Sequence, residues 1–465
     1  MTEHLNLVKP QFAPPLDDNF RPAILANRAF LQAVKESGTG VPLNLGLERA
    51  DGSVSRFETV VFADDHPNAW ANLAYVGRLI KFLLWQRGGW KVYVGGSKQI
   101  GTYIAECYSN GGQRDFDYHF MGDKIYGNTF TVISCRPDEV PLEKETNLVL
   151  GRHLDGNRIG FDLGASDLKV SAVVNGQAIF STEIVWEPVE QTDPNYHYEK
   201  IVEALKLAAS KMPEVNAVGG SSAGVYVNNR AMVASLYRGI PADRFDEIRN
   251  MFLRIRDEMG IPLEIINDGE VTALAGSMSL DDTGILGVAM GSSQAAGYVT
   301  MDGNVTGWLN ELAFCPVDYY PDAAIDEWSG DRGCGALYFS QQAVFRLAPI
   351  VGIKIPEGVT NAAKLKYVQE KLEADHEGAV QIWQTIGCYL GYSFAHYADF
   401  YDIKHLLILG RVTSGKGGDL ILGVANQVLE NEFPDLAATV NIQLPDEKSR
   451  RVGQSIAAAS LPAIK

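Results

Sequence analysis

Gly160-Phe161-Asp162-Leu163-Gly164-Ala165-Ser166-Asp167-Leu168-Lys169-Val170 decides the reading of the chain, because its pattern returns at Met290-Gly291-Ser292-Ser293. Arg158 to Leu163 reads as an apolar strand ending in Gly164-Ala165-Ser166, followed by a strand from Leu168 to Val174 and the turn Asn175-Gly176. Ile285 to Met290 is likewise apolar and ends in Gly291-Ser292-Ser293, followed by Ala295 to Met301 and the turn Asp302-Gly303. From Gly164 to Asn175 and from Gly291 to Asp302 the distance is eleven positions in both copies. A repeated strand, small-residue loop, strand and tight turn predicts two similarly built lobes.

Loops of Gly, Ala and Ser let backbone N–H groups and hydroxyls come close to phosphate oxygens, and two such loops facing across a cleft would hold a polyphosphate from both sides. Asp162, at the end of the first strand, is placed to hold Mg²⁺ through water, and Lys169 to balance phosphate charge. Each segment taken alone also reads as a plain hairpin with small residues at its bend. A third strand, His405 to Leu409, ends in Gly410 and leads through Thr413-Ser414-Gly415-Lys416-Gly417-Gly418 to a helix over Asp419 to Leu429. A glycine-rich helix start offers free N–H groups to a nucleotide, although the spacing is not that of a Walker A loop.

Upstream, Leu43 to Leu47 and Ser53 to Phe62 flank Asp51-Gly52, a hairpin signal, and a helix follows over Asn68 to Gln86. Lys91 to Val94 and Asn128 to Cys135 read as strands, with a helix over Gln99 to Cys107 between them. Arg136 to Glu145, rich in Pro and charge, marks the expected boundary. The expected division is an N-terminal α+β domain over 1–150, a first lobe over 151–280 and a second over 281–465. Asn110-Gly111-Gly112-Gln113-Arg114-Asp115-Phe116-Asp117 reads either as a binding loop or as a solvated turn, and the turn is the simpler reading.

Lys and Arg total 40 against 57 Asp and Glu among 465 residues, a net charge of -17 that repels nucleic acid and anionic membrane. No nucleic-acid or membrane partner is expected. The five cysteines form no CxxC pair, which fits a reducing cytoplasm and argues against a disulfide framework or a zinc cage. The Trp70 to Trp85 stretch carries Arg78 and Lys81, which makes it a core helix rather than a membrane span.

The motifs quoted above resemble those of the ROK group (repressors, open reading frames and sugar kinases) of the actin/hexokinase/heat-shock ATPase superfamily, from about residue 157 to the C-terminus. Gly160 to Val170 looks like its first phosphate motif, Met290-Gly291-Ser292-Ser293 like the second, and Leu407-Ile408-Leu409-Gly410 like its adenosine motif. The resemblance implies an α/β fold of two RNase H-like lobes around an ATP cleft, with the N-terminal α+β domain added. It also implies ATP-dependent phosphorylation of a hydroxyl on a sugar or sugar-like molecule, by a homo-oligomer, a dimer. ATP-binding residues would be Asp162, Gly164, Ser166, Lys169, Gly291, Ser292, Ser293, Gly410 and Gly415. Ile265-Ile266-Asn267-Asp268-Gly269-Glu270 resembles the segment that carries the catalytic base. Asp268 would accept the proton of the attacking hydroxyl, with Asn267, Glu311, Ser222 and Asn228 contacting the substrate. Asp268 also reads simply as a helix N-cap.

The chain departs from the family pattern at several places. Phe314 stands where the family has a sugar-binding His. Across Trp328 to Ala336 only Cys334 remains of a zinc-binding cysteine cluster, so no structural zinc is expected. Ser293, Ala295 and Ala296 replace glycines, which costs about 1 kcal/mol each if that loop needs positive φ. These departures keep open a catalytically degenerate sugar or nucleotide sensor of the same fold. A transcriptional repressor is disfavoured, since residues 1–150 carry fifteen basic against seventeen acidic residues and read as strand-rich.

Overall fold

The computed structural model describes residue 4 and residues 7–145, 147–148, 150–445 and 447–464. Its N-terminal sheet contains β1 (Gly40–Glu48), β2 (Val54–Phe62), β3 (Lys91–Gly95) and β4 (Thr131–Cys135), in the order β2-β1-β3-β4. The Asp51-Gly52 hairpin holds, with Glu48 opposite Val54 and Gly40 opposite Phe62. The core helix predicted from Asn68 runs from Ala71 to Arg87 and is buried on nearly every face. All three of its cations are engaged, Arg78 with Asp331 at 3.2 Å, Lys81 with Asp117 at 2.7 Å and Arg87 donating to the Arg56 carbonyl at 3.0 Å. That is how a helix carrying three charges can be interior.

The repeat read from the sequence extends to whole sheets. β6 (Asn157–Leu163), β7 (Asp167–Val174) and β8 (Gln177–Val185) form an antiparallel meander, and β9 (Ala217–Ser222) adds to β6 in parallel. β10 (Val225–Val227) and β11 (Arg230–Val233) form a separate hairpin, after which β12 (Leu263–Asn267) extends the sheet beside β9. The second sheet repeats this with β13 (Ile285–Met290), β14 (Gln294–Val299) and β15 (Val305–Thr306), followed by the parallel strands β16 (His405–Leu409) and β17 (Asn441–Gln443). The orders β8-β7-β6-β9-β12 and β15-β14-β13-β16-β17 are the same topology. β5 (Asn147–Leu148), which precedes the first lobe, joins the far edge of the second sheet beside β15.

Two helices cross between the lobes. The helix Asp268–Leu280 leaves the first sheet and packs on β13 and β14. The C-terminal helix Glu447–Ala459 returns to β6 and β9. That return needs bare backbone on the sheet: a Cβ added at Gly160 would lie 2.1 Å from the Ser455 carbonyl oxygen, and at Gly219 1.6 Å from that of Ala458.

The N-terminal unit and the second lobe share one hydrophobic core, whereas most of the first lobe has its own. The shared core is joined by aromatic contacts: Phe82 to Phe400 at 4.2 Å, Phe57 to Phe400 at 5.4 Å and Trp85 to Phe314 at 4.1 Å. Such pairs contribute about 0.5–1.5 kcal/mol each beyond their buried area. No helix among the described residues is long and apolar enough to cross a membrane.

Candidate active site

The carboxyl ends of the parallel strands converge in each lobe, which is where open α/β sheets place ligands. In the first lobe Leu163 pairs with Ser222 and Ser222 with Asn267, so β6, β9 and β12 end in line. In the second, Ala289 pairs with Leu409, which brings Met290 and Gly410 together. Gly410 has φ 102°, and a Cβ there would lie 2.5 Å from the Met290 carbonyl oxygen, so only glycine fits this crossing. Three-residue bends, Gly164 to Ser166 and Gly291 to Ser293, close the two strand pairs. The Gly164 N–H bonds to the Asp167 carbonyl at 2.9 Å and the Gly291 N–H to that of Ser293 at 3.0 Å.

No residue from Gly291 to Ala296 has a positive φ. Ser293, Ala295 and Ala296 therefore fit the second bend without backbone strain, and Ser292 and Ser293 are exposed on it. The altered loop follows a path on which glycine is not required.

Asn267 is the N-cap of the helix Asp268–Leu280, its side-chain oxygen accepting from the Gly269 N–H at 2.7 Å. Its amide donates to the Gly224 carbonyl at 2.8 Å. Capping thus falls to Asn267, and Asp268 opens the first turn with its carboxyl accepting from the Gly269 N–H at 3.0 Å. Glycines on both sides let the helix start press against β14: a Cβ on Gly269 would lie 2.4 Å from the Ala296 oxygen, and one on Gly297 2.2 Å from the Gly269 oxygen. Asp268 therefore sits at the seam of the lobes, partly exposed.

A chain of carboxyl groups passes through this seam. Burial, and then the charge of Asp162, push Asp268 up to about 6, against the pull of the Gly269 N–H. Burial also raises Asp162, offset in part by the Ser221 hydroxyl, which donates to it at 2.7 Å, and by Lys169. Lys169 Nζ lies 4.0 Å from Asp162 and 3.3 Å from Asp167, with its side chain 45% exposed, so it reaches into solvent beside the first bend. Burial and the neighbouring Asp268 lift Glu311 to about 7. Behind it, burial raises Glu270 to about 8; the Asn310 amide, donating at 3.1 Å, opposes this and Glu311 adds to it.

Asp162, Lys169, Asp268 and Glu311 thus gather at one place. Other residues expected in the site are engaged elsewhere. Ser222 is fully buried and accepts from the Tyr226 hydroxyl at 2.7 Å. Asn228 is an exposed turn residue with φ 50° and lines a cavity of about 420 Å³ that it shares with Glu270 and Trp308. At the helix Lys416–Glu432, Gly415 is the cap residue with φ 61°, but the Glu373 carboxylate already accepts from the Lys416 N–H at 3.1 Å. A protein anion therefore takes one of the N–H groups expected to face a nucleotide. Phe314, half-buried, packs in an aromatic cluster with Trp85, Phe116 and Phe120. Sequence reasoning did not find Asn310, which has φ 51° and joins Glu270 to the Tyr401 hydroxyl at 2.9 Å. Its adjacency to Glu311 was the available signal.

No protein-family model and no curated protein matches the sequence. Among solved structures, the chain is similar to a ROK hexokinase from Thermus thermophilus, with TM-score 0.52 and 14% identity over 65% of this chain and 97% of that one. It is also similar to a ROK family transcriptional regulator, a homolog of the E. coli MLC protein, with TM-score 0.50 and 19% identity over 65% of this chain and 78% of that one. Over this span the chain has the ROK fold, with two actin-like lobes.

Proposed function

We propose that the protein is an ATP-dependent kinase acting on a hydroxyl of a sugar or sugar-like molecule. The observation that supports this reading is that Asp268, whose helix start packs against β14 at the seam, interacts electrostatically with Asp162 at the end of β6 and with Glu311. The acceptor hydroxyl hydrogen-bonds Asp268 Oδ and gives up its proton there as its oxygen attacks the terminal phosphorus of ATP; the bond from that phosphorus to the bridging oxygen breaks, and ADP leaves. A base raised to about 6 is ionised at neutral pH and is more basic than an ordinary aspartate. Glu311 accepts a second hydroxyl and fixes the ring's orientation. The exposed hydroxyls of Ser166, Ser292 and Ser293 and the Lys169 ammonium receive phosphate oxygens.

Asp162 fits a Mg²⁺ role, because Ser221 occupies one carboxylate oxygen and leaves lone pairs on the other. When bound, the ion neutralises phosphate charge. Screening a panel of sugars, amino sugars and cyclitols for ADP release, with and without Mg²⁺, tests the reading. Acceptor-dependent ADP that vanishes in Asp268→Asn supports it, and ATP turnover indifferent to that change refutes the base assignment.

Two observations favour a second reading, a sensor that binds sugar or nucleotide without turnover: the half-buried Phe314 packs on Trp85 and other aromatic rings, and Glu373 occupies a helix start expected to face ATP. Ligand-induced thermal stabilisation with no phosphorylated product across the same panel would select it.

A further inference from the structure

A cavity of about 570 Å³ lies away from the seam, between the N-terminal unit and the 319–332 segment. Arg78, Tyr103, Gln113, Arg114, Phe116 and Arg332 are among its walls. Three of these come from the segment 110–117, whose simpler reading in the sequence was a solvated turn. Residues 110–114 do form a turn, with Asn110, Gly111 and Gln113 exposed, but Arg114, only 12% exposed, and the buried Asp117 turn inward from it.

The charges around this cavity do not balance. Asp117 accepts from Lys81 at 2.7 Å and from the Trp85 indole N–H at 2.9 Å. Asp331 takes Arg78, Arg114 and, at 3.8 Å, Lys81. Burial would raise Asp331, but these three cations hold it well below the usual carboxylate range. Arg332 donates to the Ala323 carbonyl at 3.2 Å. Lining the cavity, three guanidinium groups, Arg78, Arg114 and Arg332, meet two carboxylates, Asp117 and Asp331, and one positive charge remains there in a chain whose net charge is -17. A phosphomonoester carries a charge of about −1.5 to −2 at neutral pH and matches guanidinium forks geometrically. Tyr103, Phe116 and Tyr320 offer flat apolar faces for the remainder of such a molecule, and the volume falls in the range of small-ligand sites.

We propose that this cavity binds a small phosphomonoester at a site separate from the cleft. Its 319–332 wall leaves the fold just after Glu311 to Phe314 and returns at Gly335, where a Cβ would lie 2.2 Å from the end of the Gln294 side-chain amide, next to the second phosphate bend. An occupant would therefore press on a segment joined at one end to Glu311 and packed at the other against Gln294.

Calorimetric titration of the full-length protein with glucose 6-phosphate, and with glucose as the uncharged control, tests this. Wild type should bind the phosphate ester, and Arg332→Gln and Arg114→Lys should each weaken that binding by about tenfold or more. Melting without ligand identifies any variant that fails to fold. A crystal soaked with glucose 6-phosphate should place its phosphate beside Arg114 and Arg332. Absence of binding to wild type, equal affinity in a folded Arg332→Gln variant, or density at the phosphate bends alone would overturn the assignment. These measurements read binding rather than turnover, so they stand or fall separately from the kinase reading.

Discussion

The bend between β6 and β7 carries Asp162, Asp167 and Lys169 around it, whereas the matching bend between β13 and β14 carries Ser292 and Ser293 and no ionisable side chain. The lobes also differ in what covers them. The first keeps a core largely its own, and the second is merged with the N-terminal unit through a common core and the Lys81, Asp117 and Asp331 ion cluster. Repetition of a backbone therefore does not entail repetition of chemistry. The shared strand order gives each lobe one such bend, and the first carries charge around it while the second carries hydroxyls and has the extra cover of the N-terminal unit.

The strongest way to break this division is at the seam itself. Asp268→Asn should lower turnover by about 10³-fold while changing substrate affinity little, which steady-state kinetics would detect. The same substitution should raise Tm at pH 8 and leave it nearly unchanged at pH 4. A carboxyl whose folded pKa is raised to about 6 contributes stability at low pH that is lost as pH rises through that value. For the same reason kcat/KM should fall as pH drops below about 6.

Next in size is the union of the second lobe with the N-terminal unit. Asp117→Ala leaves the fully buried Lys81 without its nearest partner and should cost about 3–5 kcal/mol in denaturant unfolding. A loss below about 1 kcal/mol would mean that the unit is only appended to the lobe. Glu311→Gln should raise the acceptor KM by roughly 10-fold and change kcat much less, as expected for loss of a hydrogen-bond acceptor that binds substrate, with the larger effect above pH 7 where Glu311 is ionised. The smallest effect concerns the second bend. Ser293→Gly should lower stability by about 0.5–1 kcal/mol, because no residue of that bend has positive φ; a gain in Tm would show that its backbone needs glycine.

The two lobes were legible because period-two apolar strands and paired small-residue bends are local features, and the His405–Leu409 strand agrees with its expected bounds. Asp268 and Glu311 were expected from the family resemblance and Asp162 and Lys169 also from strand-end chemistry, and in the structure Lys169, Asp162, Asp268 and Glu311 interact electrostatically, each with the next. What escaped was long-range. Nothing near Phe314 says that Trp85 will pack on it, and nothing near Gly415 says that Glu373 will cap the helix behind it. Likewise Arg78 and Lys81 gave a core helix, but their partners Asp331 and Asp117 lie far along the chain and could not be paired from spacing alone.

The central claim is a phosphoryl transfer across the seam with Asp268 beside the acceptor. Incubating wild type and Asp268→Asn with γ-labelled ATP, Mg²⁺ and the acceptor panel, then identifying labelled sugar phosphate by mass spectrometry, tests it directly. The account predicts label on an acceptor hydroxyl with wild type and at least about a hundredfold less with the variant. Equal labelling by both proteins, or label recovered only as inorganic phosphate, would contradict it.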